Sequence, residues 1–256
     1  MPNATIYPIE TTDLDAQTKI DLACAYRMGA IHGIDDLTYT HISSRTPSDP
    51  NAFLIGKFGL LFEEMRASDL QTITYRTTDG LDENVNRTGF SIHSAIYDAR
   101  PDVKAIVHVH TPAGTAVSAM KCGLLPISQF AFHMHNKIGY HDYHGLTLRE
   151  QERDQVVEDL ADNPVLIMRN HGLLTVGKTL HEALFFMYHL EQACQVQVQT
   201  LSQCTSQNPL DDLVIPSKET LEYTNDQLLT FEEDIGMRDW IAMKRKVDRV
   251  DTSYRD

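Results

Sequence analysis

Residues 106–114 read IVHVHTPAG, and how this chain is understood depends on that stretch. A β-branched apolar run that closes on Pro112 and Gly114 is the pattern of a buried strand ending at a turn. Side chains two apart on a strand share one face, so His108 and His110 are expected to point the same way. Two neutral imidazoles held like that are either a pair of metal ligands or core residues with partners elsewhere. The spacing alone leaves both open.

Working outward, residues 89–102 read as a helix that stops before Pro101, because a residue preceding proline is pushed out of helical geometry. Pro112 then opens a short helix in the position proline prefers. Further on, residues 164–177, PVLIMRNHGLLTVG, read as two strands broken at Asn170-His171-Gly172. There Gly172 is expected to supply a positive φ and His171 to stand at the sheet's edge. An amphipathic helix over 148–161 precedes them, and a long helix over about 179–202 follows. At the front, a helix over about 13–31 takes Thr12 or Asp13 as its cap and Gly33 as its stop. Short strand-like segments come next at 37–45, 52–56 and 71–77.

Strands and helices therefore interleave throughout, which predicts one α/β domain with a central sheet covered on both faces. The expected organisation is a domain over 1–204. A polar loop and helical tail over 205–256 would pack on that domain or on a neighbouring subunit. With 256 residues the chain can bury a substantial core.

Twenty-two Lys and Arg against 36 Asp and Glu give a net charge of -14, which argues against nucleic acid as a partner. The first residues lack the basic start and apolar run of a secretion signal, and no apolar stretch reaches membrane-spanning length. Cys24, Cys122, Cys194 and Cys204 show no paired spacing, and Cys24 and Cys194 sit in apolar helical patterns as buried thiols. The expected setting is the cytoplasm.

If His108, His110 and His171 converge, they make an open three-nitrogen site whose fourth position is left for water or a small-molecule substrate. That is the arrangement of a catalytic metal rather than a structural one. Several stretches carry a resemblance that bears on this: HVHTPAGTAVSAMKCGLLPIS (108–128), HDYHG (141–145), RNHGLLTVG (169–177), GLLFEEMRASDL (59–70) and NRTGFSIHSAIYDARPDV (86–103). Together they resemble the class II aldolase/adducin family over about residues 15–203, and the closing segment resembles a bacterial, adducin-like branch. The resemblance implies a three-layer αβα sandwich around a largely antiparallel mixed sheet. It also implies a divalent metal, usually zinc, on His108, His110 and His171, and a homo-oligomer, a tetramer in ring form.

Against the sugar-phosphate aldolases of that family the chain departs in places. Gly89 stands where those enzymes carry a glutamate that acts as metal ligand and base. Thr40 and His41 replace a Gly-Asn pair, and Phe58 precedes Gly59 where a phosphate cradle is expected. The resemblance then implies a metal-dependent lyase, aldolase or decarboxylase, on a small polar or carboxylated substrate. Its alternative is a non-catalytic, adducin-head-like assembly protein. Glu63 or Glu64 could supply the lost carboxylate, although surface helix charges are the plainer reading. His133 and His135 repeat the two-residue spacing, and either loop positions or the metal's vicinity would suit them. His93 reads as a satisfied core histidine, His181 and His189 as non-catalytic, and Tyr254 as a candidate to reach a neighbour's site.

Overall fold

Capping chemistry sets the boundaries of the helices. In a computed structural model, which describes residues 13–76, 82–145, 150–231 and 233–256, α1 (Leu14–His32) begins where the Asp13 carboxylate accepts from the Asp15 and Ala16 amides. It ends at Gly33 in the left-handed region, as expected. Strand β1 (His41–Arg45) follows and is shorter than the 37–45 expected. Leu37 has φ 48° and the Tyr39 amide donates to the Asp36 carbonyl, so residues 36–39 make a turn instead.

Strands β2 (Ala52–Gly56) and β3 (Leu70–Thr74) come next. Residue 77, the last of the third expected strand, lies outside the described residues. Asn86 caps α2 (Arg87–Ala99), which gives way to β4 (Ala105–Val109). Thr111 and Pro112 start α3 (Pro112–Ser118). The short α4 (Gln129–Phe132) and strand β5 (Ile138–His141) were not anticipated. Helix α5 (Glu150–Leu160) lies within the expected 148–161, whose first two residues fall outside the described ones. Then come β6 (Val165–Met168), β7 (Gly172–Gly177) and α6 (Leu180–Leu201), the last capped by the Thr179 hydroxyl. The tail holds α7 (Lys218–Phe231) and α8 (Met237–Val250).

The seven strands form one sheet in the order β3-β2-β1-β4-β7-β6-β5. Every pairing is antiparallel except β5 with β6. Strand alternation sends Ala105, Val107 and Val109 of β4 into a core with α1, α3 and α6. Ile106 joins a second core with Phe90, Ile92 and Ile96 of α2 and Val156 and Leu160 of α5. This is the expected sandwich, with helices on both faces of a mostly antiparallel sheet. Among the described residues, no helix is long and apolar enough to cross a membrane.

In the tail, α8 lies on α1, where the Lys244 ammonium meets the Asp21 carboxylate at 2.6 Å. Tyr254 is fully buried beside α1 and donates to Asp248 at 2.7 Å. It is therefore a core residue of its own chain, not one extended toward a neighbour. Cys24 and Cys194 are buried free thiols.

Candidate metal centre

Three imidazoles meet where β4 ends beside the β6–β7 turn. His108 lies on β4, and His110 stands just past the strand's end, one residue beyond strict alternation. The rings still converge: the His108 and His110 Nε2 atoms are 2.9 Å apart, and the His110 and His171 Nε2 atoms 3.0 Å apart. His171 sits in the turn, but the left-handed residue there is Asn170, at φ 57°. Gly172 instead permits close approach, since a Cβ there would run into the Val109 carbonyl and come within 3.0 Å of the His110 ring.

The partners of the outer nitrogens decide what the inner ones can do. His108 Nδ1 is 3.0 Å from the Leu173 carbonyl, which can only accept, so the proton sits on Nδ1. His110 Nδ1 is 3.1 Å from the Asp36 carboxylate and carries its proton for the same reason. In the neutral rings both Nε2 atoms then present lone pairs to each other. Burial holds His108 well below the usual histidine range, and burial together with His110 brings His171 down to about 4. One proton can bridge two of these nitrogens, whereas a cation satisfies all three. The three Nε2-bearing side chains, with ligand atoms all within 4.8 Å of one another, therefore fit a divalent ion in an open site.

Beside them lies a small cavity of ≈ 130 Å³, lined by Asp36, Tyr39, His41, Thr88, Ile92 and the three histidines. This is below the usual range for drug-sized pockets and suits a small ligand. A larger apolar cleft of ≈ 340 Å³ between α1, α6 and α8 contains none of the three.

Gly89, in the first turn of α2, faces His41 of the cavity's lining, and the place a larger side chain would take is filled. A Cβ there would sit 2.7 Å from the His41 ring. His41 is thus the group occupying the space beside Gly89, and together with Asp36 it is the site residue that sequence spacing missed. The signal was the register of β1 against β4, which sets His41 directly opposite His108.

The other candidates lie elsewhere. The Glu64 carboxylate accepts from the Leu61 amide in an exposed turn. The His133 ring packs on Phe185 and His189, and the His135 carbonyl accepts from Asn225. His93 is fully buried with both ring nitrogens bonded, the satisfied core histidine anticipated. His181 pairs with Asp234 at 2.6 Å, and His189 Nδ1 lies 2.9 Å from the Phe185 carbonyl.

Comparison with known proteins places this geometry in context. Residues 20–198 match the model of the class II aldolase and adducin N-terminal domain. Alpha-adducin of Rattus norvegicus is 46% identical over 190 residues, covering 72% of this chain, and the chain spans only 26% of that protein's length. The crystal structure of an aldolase II superfamily protein from Pseudomonas syringae superposes with a TM-score of 0.86 at 38% identity, covering 96% of this chain and 98% of that one. L-fuculose 1-phosphate aldolase from Glaciozyma antarctica PI12 superposes with a TM-score of 0.80 at 27% identity, covering 95% and 94%.

Proposed function

The chain belongs to the class II aldolase and adducin family, and from that premise we propose that it is a metal-dependent carbon–carbon lyase acting on a small carboxylated substrate. The observation that carries the reading is the pair of opposed lone pairs on His108 and His110, 2.9 Å apart with His171 alongside. A divalent ion, zinc by the preference of three imidazoles, would supply Lewis acidity at the cavity's edge. Leu173 and Asp36 fix the tautomers of His108 and His110, and the rings are held for that purpose before any ligand arrives.

The choice between aldol cleavage and decarboxylation turns on a base. Aldol cleavage requires a group that takes a hydroxyl proton. The carboxylate lining the cavity, Asp36, already accepts from His110, and Gly89 offers no side chain. Decarboxylation needs no such proton removal: the bond to the carboxyl carbon breaks, carbon dioxide leaves, and the electron pair moves toward the neighbouring carbonyl oxygen. This favours a 3-keto acid as substrate, whose carbonyl stands one carbon away from the breaking bond and can take the electron pair as an enolate. Turnover of a panel of small keto and hydroxy acids by the zinc-loaded chain, followed by carbon dioxide release and by aldehyde formation, tests the proposal.

The 46% identity to an adducin head supports a second reading, a non-catalytic assembly module. Absence of turnover across the panel, with metal bound, favours that one. In either case we propose a homo-oligomer, a tetramer, with exposed apolar side chains such as Tyr39, Phe58 and Tyr143 available to neighbours. Light scattering that gives a monomer mass at micromolar concentration rules this out.

A further inference from the structure

A line of hydrogen bonds runs from the cavity into the core behind α2. His41 Nδ1 lies 2.9 Å from His93 Nε2, His93 Nδ1 lies 2.6 Å from the Ser43 hydroxyl, and Ser43 lies 2.8 Å from the Tyr97 hydroxyl. All four side chains are buried. Alternation explains the alignment, since His41 and Ser43 of β1 both face α2, where His93 and Tyr97 are one helical turn apart.

The direction of this line follows from its inner end. Burial keeps the Tyr97 phenol protonated, and among the described residues Ser43 is its only hydroxyl partner. Tyr97 therefore donates to Ser43, because the reverse direction would leave a buried phenol proton without an acceptor. Ser43 must then donate to His93 Nδ1. His93, whose Nδ1 accepts from Ser43, carries its proton on Nε2 and donates it to His41 Nδ1. His41 is left with its proton on Nε2, at the edge of its ring nearest Gly89.

We propose that His41 is a ligand-binding residue of this cavity, a neutral imidazole locked with Nε2–H as a donor to an anionic oxygen of the substrate. His93, Ser43 and Tyr97 are its positioning residues. The ligand class is a small carboxylate or an oxyanion that develops from a carbonyl, since a fixed N–H rewards a negative oxygen and cannot accept a proton. Locked in this form His41 offers no lone pair on Nε2, so it is not a fourth metal ligand. The inference rests on the cavity being the ligand site proposed above. It adds the group that would recognise the substrate's charge.

The test uses the zinc-loaded full chain with 15N-labelled histidine. Imidazole 15N NMR is expected to show His41 in the Nε2–H form, and Ser43→Ala is expected to release it to a mixture. Glycolate serves as the probe for binding. His41→Leu should weaken glycolate binding about tenfold or more at unchanged zinc content, and His41→Gln, which keeps an N–H at a similar reach, should recover most of it. A proton on Nδ1 of His41 overturns the inference while leaving the cavity's role standing, as does equal glycolate affinity in wild type and His41→Leu. Failure of glycolate to bind the wild type, with His41 found in the Nε2–H form, instead overturns the cavity as the carboxylate site, and the proposed occupant with it.

Discussion

Replacing Gly89 by alanine adds one methyl group to the first turn of α2. Ordinarily that change in a helix stabilises by roughly 0.5–1 kcal/mol, because glycine loses more backbone freedom on folding. Here the new Cβ would lie 2.7 Å from both Cδ2 and Nε2 of His41, a buried ring tied to His93 on its far side. The ring cannot retreat without breaking that bond. Overpacking of this kind costs about 1–3 kcal/mol. The expected net effect is a loss of about 1–2 kcal/mol, which for a chain of this size is a fall of about 2–8 °C in melting temperature. Thermal and urea melts of wild type, Gly89→Ala, His41→Ala and the double variant would measure it. With His41 shortened, Gly89→Ala should revert to a mild stabilisation. If Gly89→Ala alone is as stable as wild type or more so, His41 does not fill the space beside position 89. The explanation for the missing side chain there is then wrong.

Asp36→Ala should weaken zinc binding by about 10–100-fold in a chelator competition, because His110 loses the carboxylate that orients it; unchanged affinity would contradict the pairing. A pH dependence follows from the depressed histidines. Burial holds His41, His93 and His108 well below the usual range and brings His171 to about 4. The unfolded chain takes up protons near pH 6.5 that the folded chain refuses, so their contribution to stability is intact above 6.5 and shrinks as pH falls toward 4. The metal-free protein should lose on the order of 1 kcal/mol per pH unit for each such histidine in urea melts from about pH 6.5 down to about 5, and little between about pH 7.5 and 6.5. Stability that stays flat or rises on acidification would refute this.

Much of the fold was legible because local signals and the global pattern agree. Asp13, Gly33, Pro112 and Thr179 mark helix ends by chemistry that acts within a few residues. Strand β5 was missed because Ile138–His141 is short and carries two histidine-rich segments on its flanks, with no clean alternation to see. At the site, spacing and turn chemistry single out His108, His110 and His171 as candidates, and the family resemblance is what implies a metal on them. Asp36 was not singled out, and His41 stood out only as a replacement of a family residue, since each acquires its role from a partner 74 or 67 residues away, through strand register and a turn that no local pattern records. Gly172 was recognised as necessary for the wrong reason. Its requirement is the nearby Val109 carbonyl, a tertiary contact, while Asn170 takes the left-handed conformation.

The proposed chemistry of this site depends on the three Nε2 atoms holding a cation. Elemental analysis of the purified chain, before and after equilibration with zinc and gel filtration, tests that directly, with His110→Ala alongside as the variant that removes the nitrogen lying 2.9 and 3.0 Å from the other two. About one divalent ion per chain is expected in the wild type and a large loss in His110→Ala, with the fold of both retained by circular dichroism. A wild type that carries no metal and takes up none from added zinc would contradict a metal site at His108, His110 and His171.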